Sequence, residues 1–167
     1  MDKNSKILIL NTGGTFNKVY NQLNGKLDIL KNNENIEKIL NLSKIYDCKV
    51  ESILYKDSLD INKKDRDQII SYIKRSEFEK IIIIHGTDTI DKTAKEIKKN
   101  ILDKTIVLTG SMVPFSIDPI EATANLISAY SFVKYKNKKE IYIAMHGNIK
   151  KYNKIEKNRE LGVFECH

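Results

Sequence analysis

Five short apolar runs recur at fairly even spacing along this chain of 167 residues, and they constrain its fold more than any other feature. Most of them place apolar residues on consecutive positions, which is typical of strands buried on both faces of a parallel sheet. The runs cover residues 7–10, 50–55, 81–84, 106–108 and 141–145. We therefore expect five parallel strands.

Helical spacing of apolar residues fills the intervals between these runs. The fourth helix has the clearest start, because Asp118 is a good N-cap, Pro119 suits the first turn and Glu121 completes an arrangement like a capping box. The other apolar edges are Ile36, Ile39 and Leu40, then Ile69, Ile70 and Ile73, then Ile90, Ala94, Ile97 and Ile101. The alternation predicts an α/β fold of three layers, α/β/α. Its mostly parallel sheet has five strands or slightly more, with flavodoxin-like crossovers.

Length and composition predict one compact domain, with 41% hydrophobic residues, seven glycines and two prolines. The N-terminus lacks the long apolar region of a secretory signal, and no apolar stretch reaches the length of a membrane span. Cys48 and Cys166 stand outside any CxxC pattern and are interpreted as reduced thiols. A cytoplasmic protein without membrane contact is the expectation.

The net charge of +7 raises the question of a nucleic-acid partner. Lysine supplies most of the positive charge, and only Arg66, Arg75 and Arg159 offer the bidentate fork favoured in phosphate and base recognition. A solvated, lysine-rich surface is therefore the preferred interpretation, and no nucleic-acid partner is expected.

A polar cluster follows every apolar run. In chain order the clusters read NTGGTF, KDSLD, HGTDT, TGSMVPFS and HGNIK. Because ligands of open α/β sheets bind at the carboxyl ends of the strands, this arrangement predicts a functional cleft along that edge. The alternative is that loops between strands and helices are generally polar and rich in glycine.

Several residues of these clusters are candidates for chemistry. Thr12 and Thr15 flank two glycines that allow close approach of a ligand to the backbone, but the pattern is neither GxGxxG nor a P-loop. A threonine nucleophile needs a group that removes its proton, and most threonines in turns only bond the backbone. Thr87 and Asp88 stand at the start of a helix, where Asp88 suits the binding of a small polar molecule or a simple N-cap role.

Two further features leave alternatives open. His85 and His146 end the third and fifth runs, but no third ligand has a recognisable spacing, so no metal is predicted. Residues 17–28 exceed the length of a simple connection and contain the turn pair Asn24-Gly25. This segment is either a mobile flap over the first loop or a small surface hairpin.

Four motifs, NTGGTF, DSLDI, HGTDTIDKTA and VLTGSMVPF, occur in the order seen in the bacterial-type L-asparaginase family, which this chain resembles. The last stretch, MHGNIKKYNKIEKN, is similar to the family's segment with a catalytic lysine. The resemblance implies a primary nucleophile at Thr15 and a second cluster of Thr87, Asp88 and Lys157. In that cluster the lysine and the aspartate tune the threonine and assist proton transfer.

The resemblance also implies the substrate contacts. Ser58 matches the serine that holds the substrate's α-carboxylate, Asp88 receives its α-ammonium group, and Thr87 and Gly14 complete the binding set. Tyr20 is the candidate for the flap tyrosine that activates the nucleophile. Leu59 departs from the pattern, because many members have a polar residue there that touches the substrate.

The family's usual member is about twice as long. Residues 1–167 are expected to be a single domain equivalent to its N-terminal domain, with the C-terminal domain absent. Because that domain completes a neighbouring subunit's site, we predict a homodimer or higher homo-oligomer in which a neighbour closes the cleft.

The implied function is hydrolysis of L-asparagine to L-aspartate and ammonia without metal or organic cofactor. One alternative is an amidohydrolase module within a tRNA-dependent amidotransferase assembly, which a gel shift with tRNA at physiological salt tests. The other is a non-catalytic module that binds an amino acid, for which asparagine would bind without turnover.

Overall fold

The structure is a computed structural model that describes residues 6–167. A six-stranded sheet runs through the centre of the molecule and consists of β1 Ile7–Gly13, β4 Cys48–Lys56, β5 Lys80–Ile84, β6 Thr105–Thr109, β7 Ile141–Met145 and β8 Asn148–Lys151. Across the sheet the strands lie in the order β4-β1-β5-β6-β7-β8. In this order the first five are parallel, and β8 runs antiparallel to β7. All five predicted strands are therefore confirmed.

Four helices cover the two faces of the sheet, as the helical spacing predicted. They are α1 Glu34–Leu42, α2 Lys63–Arg75, α3 Ile90–Asn100 and α4 Pro119–Tyr135. Buried side chains of α2 and α3 pack on one face of the sheet, and those of α1 and α4 pack on the other. The three-layer α/β/α prediction is thus confirmed.

The order of the parallel strands decides where a ligand fits best. Numbered along the chain, the five parallel strands lie in the order 2-1-3-4-5, which is the flavodoxin-like order. Its switch point falls between β1 and β5, where the chain leaves the sheet toward opposite faces. The loops that follow β1 and β5 carry Thr15 and Thr87, so both threonines lie beside the crevice.

Two antiparallel hairpins stand outside the central sheet. The segment after β1 forms one of them, with strands β2 Lys18–Asn21 and β3 Lys26–Ile29. The second lies near the C-terminus and pairs β9 Ile155–Asn158 with β10 Val163–Cys166. Of the two interpretations of residues 17–28, the structure shows the small surface hairpin.

The last polar cluster forms a turn into a hairpin instead of a connection to a helix. His146 and Gly147 have φ values of 52° and 75°, and β8 begins directly after them. Positive φ at two successive residues matches the right-handed twist of the paired strands. Periodicity did not predict β8, because its surface-facing residues are mostly polar.

The capping box predicted at the start of α4 is wrong in its second half. The Asp118 side chain accepts from Ile120 N, and Pro119 opens the helix, as predicted. Glu121 instead accepts from the backbone N–H groups of Met112 and Val113, at 2.8 and 3.0 Å. The Glu121 carboxylate therefore holds the loop after β6 against the helix, a contact that local sequence does not reveal.

None of the helices between residues 6 and 167 combines the length and the apolar character needed to cross a bilayer.

Candidate active site at the carboxyl edge of the sheet

The loop after β1 lies directly against the loop after β5. Gly14 has a φ of 78°, and its N–H donates to Lys56 O at 2.9 Å. A Cβ placed on Gly14 would lie 2.5 Å from Gly86 N, which no real side chain tolerates. Only glycine allows these two backbones to approach so closely, and the approach places Thr15 and Thr87 on neighbouring turns.

The loop after β4 joins the same contact. A Cβ on Gly86 would lie 2.7 Å from the Ser58 hydroxyl oxygen, and the Thr89 hydroxyl donates to Ser58 O at 2.7 Å. Short 3-10 turns at Thr15–Asn17, Ser58–Asp60 and Thr87–Thr89 follow the three strands. The loops with Thr15, Ser58 and Thr87 are therefore packed together at the switch point.

The two threonines of the first loop have different roles. The buried Thr12 hydroxyl donates to Ile84 O at 2.8 Å and so ties the ends of β1 and β5 together. Thr15 is half-buried, and its hydroxyl forms no hydrogen bond to any described residue. Thr15 is the one of the two whose oxygen is available to a ligand.

A lysine from the C-terminal hairpin bonds to two side chains of the loop after β5. Lys157 Nζ donates to Thr87 Oγ1 at 2.9 Å and to Asp88 Oδ1 at 2.8 Å. The Lys157 side chain is only 14% exposed, and Thr87 is 5% exposed. Residues separated by about 70 positions in the chain thus form one hydroxyl, acid and amine cluster.

Asp88 is held in its ionised form. Burial alone would raise the pKa of its carboxyl, but the hydrogen bonds and charges of Lys157 and Arg159 outweigh burial and keep that pKa below 3.8. The N-cap of the following helix α3 is Thr89, and its side chain makes no capping bond. The N-cap interpretation of Asp88 is therefore wrong, and its carboxylate bonds to charged side chains instead of helix N–H groups.

Ser58 presents a buried hydroxyl that lacks a hydrogen-bond partner among the described residues. The residue is 1% exposed, and its Oγ atom is fully enclosed. Buried polar atoms without partners are rare in folded proteins because desolvation costs free energy. Leu59, the position that departs from the family pattern, points outward and is 68% exposed.

Tyr20 lies in β2, and its side chain is 61% exposed. Its hydroxyl forms no hydrogen bond to a described residue and lies at the turn of the hairpin, 3.9 Å from a Cβ built on Gly25. The structure does not bring this hydroxyl into contact with Thr15. The activating role assigned to Tyr20 stays a prediction that depends on movement of the hairpin.

Each of the two histidine rings contacts two polar partners near the site. The buried His85 donates from Nδ1 to Gly86 O at 2.8 Å and accepts at Nε2 from the Thr93 hydroxyl at 2.9 Å. His146 Nε2 lies 2.9 Å from Glu121 Oε1, and its Nδ1 accepts from Phe164 N. Between residues 6 and 167, no group of three or more His, Cys, Asp or Glu side chains is placed to hold a metal ion.

Sequence reasoning missed two arginines at this site. Arg159 donates to Asp88 Oδ1 at 2.6 Å and to Asp88 O at 2.8 Å. From beneath the loops, Arg66 donates to the hydroxyls of Thr93 and Thr89, at 3.1 and 3.3 Å. Both contacts join distant parts of the chain, and no local pattern marks them.

Comparison with known protein families gives a match over nearly the whole described chain. The family model described as "Asparaginase, N-terminal" matches residues 6–163. An L-asparaginase of Thermococcus kodakarensis is 30% identical over 164 residues, which cover 95% of this chain and 49% of that protein. The chain therefore spans about half the length of this curated relative.

Solved structures agree with the sequence comparison. The thermostable L-asparaginase from Thermococcus kodakarensis has a TM-score of 0.81 at 30% identity, over 96% of this chain and 50% of that one. Two more distant structures share the fold. They are a probable cytoplasmic L-asparaginase from Campylobacter jejuni (TM-score 0.80, 23% identity, 97% and 53% coverage) and L-asparaginase I from Vibrio cholerae (0.82, 19%, 97% and 51%).

Proposed function

Because the chain belongs to the asparaginase family, we propose that it hydrolyses the side-chain amide of L-asparagine to L-aspartate and ammonia. The observation that carries this proposal is the contact of Lys157 Nζ with both Thr87 Oγ1 and Asp88 Oδ1, at 2.9 and 2.8 Å. A buried hydroxyl that accepts from an amine, which is itself paired with a carboxylate, is an arrangement suited to proton transfer. It lies beside the loop that offers Thr15.

In this proposal the two charged ends of the amino acid are bound separately. The Ser58 hydroxyl donates to the α-carboxylate, which would give its buried oxygen the partner that it lacks. The Asp88 carboxylate, ionised at neutral pH, receives the α-ammonium group. Gly14 allows the substrate to approach the backbone closely, and Thr87 contacts it from the loop after β5.

The chemistry is acyl transfer through a threonine ester. The Thr15 oxygen attacks the amide carbon while its proton passes to the hydrogen-bonded relay that includes Thr87 and Lys157. Backbone N–H groups of the glycine-rich turns stabilise the negative oxygen that develops. The C–N bond then breaks, the nitrogen takes up a proton and leaves as ammonia, and water hydrolyses the ester to release aspartate and regenerate Thr15.

Assembly and location are part of the proposal. In this proposal a second copy of the chain closes the open side of the cleft. A cytoplasmic location stays a prediction.

Removal of either threonine hydroxyl tests the mechanism. We expect Thr15→Ala and Thr87→Ala each to lower ammonia release from L-asparagine by at least about a thousandfold, because the nucleophile or its proton relay is lost. The measurement is ammonia release by purified protein, with circular dichroism as the check on folding. Ser71→Ala is the matched control and should keep full activity, because this exposed hydroxyl lies in the part of α2 that leads to the amino end of β5, on the opposite edge of the sheet.

Full activity in both Thr15→Ala and Thr87→Ala would refute the threonine mechanism. Asparagine binding without ammonia release by the unaltered chain would instead favour a non-catalytic amino-acid-binding module.

A further inference from the structure

The Asp88 carboxylate faces two cations before any ligand is present. Lys157 Nζ and Arg159 Nη1 both donate to Oδ1, at 2.8 and 2.6 Å, and Arg159 Nη2 also donates to the backbone oxygen of Asp88 at 2.8 Å. Asp88 Oδ2 has no hydrogen-bond partner among the described residues. Asp88 is therefore already paired with two cations where the proposed function places an ammonium group.

The two cations are held with different strength. Lys157 belongs to β9, is 14% exposed and also donates to Thr87. Arg159 follows β9 in the turn toward β10, and its side chain is 61% exposed. An exposed ion pair contributes little to stability, so Arg159 can leave Asp88 without disturbing the cluster, whereas Lys157 cannot.

An incoming ammonium would be the third cation beside one carboxylate. If it binds at the open Oδ2, it lies within a few ångströms of Arg159, and like charges at that distance repel. If it binds at Oδ1, it must replace Arg159 directly. Both cases give the same result: the arginine opposes the binding of a substrate amine, and its departure relieves the opposition.

We propose that Arg159 is a specificity-determining residue that competes with the substrate's α-ammonium group for Asp88. The inference rests on the proposed function and deepens it. In this role Arg159 is a displaceable counter-ion that lowers the affinity of the site for every ligand with a free α-amine. Ligands of the same carbon skeleton without the amine escape this competition.

A pair of dicarboxylic acids allows the contribution of the α-amine to binding to be measured by itself. L-Aspartate and succinate share both carboxylates and differ in the α-ammonium group, so the ratio of their dissociation constants reports its contribution. We expect Arg159→Ala to lower the dissociation constant of L-aspartate about fivefold relative to that of succinate. This factor corresponds to the free energy of one partly exposed ion pair. Isothermal titration calorimetry at low ionic strength measures both constants.

Two further variants serve as controls. Arg159→Lys retains the charge and should keep the ratio of the unaltered protein. Arg75→Ala removes an arginine at the end of α2, on the opposite edge of the sheet from Arg159, and should also leave the ratio unchanged. A parallel shift is expected in the KM values of asparagine and succinamate, its analogue without the α-amine.

An unchanged preference for L-aspartate in Arg159→Ala overturns the inference, because it means that Arg159 does not compete for Asp88. A reduced preference also overturns it, because it means that Arg159 positions Asp88 for the ligand. If the unaltered chain releases ammonia from asparagine and the ratio still does not shift, only this inference fails. If the chain neither releases ammonia nor binds either acid, the proposed function fails with it.

Discussion

His85 shows how a single buried side chain supports the site from beneath. Its Nδ1 lies 2.8 Å from a carbonyl oxygen and so carries the proton, which leaves Nε2 as the acceptor for Thr93. Burial, together with the charge of Arg66, lowers the pKa of His85 to about 4. The ring is neutral at physiological pH and holds Gly86, the residue that touches both Gly14 and Ser58.

This lowered pKa predicts a pH-dependent stability. Between pH 6.5 and 4 the unfolded chain takes up a proton on His85 that the folded chain refuses, so the free energy of unfolding should fall as the pH drops through this window. The loss is at most about 3 kcal/mol. Urea unfolding at pH 7 and pH 4.5 measures it.

His85→Gln should reduce this pH dependence, whereas His167→Gln, at the half-exposed C-terminus, should keep it. An equally steep loss of stability in His85→Gln would show that another group is responsible.

At the scale of elements, the hairpin of β9 and β10 delivers Lys157 to the site. Ile155 and Phe164 are 2% and 4% exposed and pack into the core on the face covered by α2 and α3. The Phe164 N–H donates to His146 Nδ1, and the two rings meet edge to face at 5.9 Å. These apolar anchors hold the hairpin against the sheet, and the bonds of Lys157 and Arg159 to Thr87 and Asp88 add polar contacts at its open side.

Truncation of one anchor should loosen the hairpin without unfolding the central sheet. We expect Phe164→Ala to cost about 3 kcal/mol of local stability and to lower ammonia release, because Lys157 is no longer held against Thr87 and Asp88. Hydrogen exchange measured by mass spectrometry should show lost protection over residues 155–166 and retained protection in β1 and β5.

Val163→Ala changes a half-exposed neighbour on the same strand and should leave protection and activity nearly unchanged. Retained protection of residues 155–166 in Phe164→Ala would contradict the anchoring role.

At the scale of the whole molecule, apolar side chains remain exposed beside the cleft. Leu23 of the β2–β3 hairpin is 98% exposed, and Ile117 and Ile120 at the start of α4 are 60% and 74% exposed. The Ser116 hydroxyl donates to Lys18 O at 2.8 Å, which places this part of the chain next to the hairpin. Ile117 and Ile120, three residues apart, together expose apolar surface of the kind that contacts another protein.

We expect the protein to sediment as a homodimer or larger assembly at micromolar concentration. Ile120→Glu should weaken this association, because it places a charge within the exposed apolar surface. Leu102→Glu, at the equally exposed position after α3, is the matched control and should leave the assembly intact. A monomer with full activity at micromolar concentration would refute the prediction.

The sequence predicted the fold well because the signals that define it are local. Consecutive isoleucines such as Ile81 to Ile84 mark a strand buried on both faces, and helical spacing marks α3. The exceptions are β8 and the β9–β10 hairpin, whose short strands have polar or exposed residues and carry little periodicity. The β2–β3 hairpin was one of two interpretations that the sequence left open. The polar clusters at the strand ends already offered Thr15, Thr87 and Asp88 as candidates, whereas Lys157 and the roles of all four came from the resemblance to a known family.

The sequence alone determined that strands alternate with helices and that polar loops meet at one edge of a parallel sheet, because residue period and strand direction are local properties. Only the tertiary structure decided which charged side chains form ion pairs there. Lys157 and Arg159 reach Asp88 from a hairpin about 70 residues away. Such contacts depend on how the hairpin packs against α3 and the sheet, and no local pattern encodes that packing.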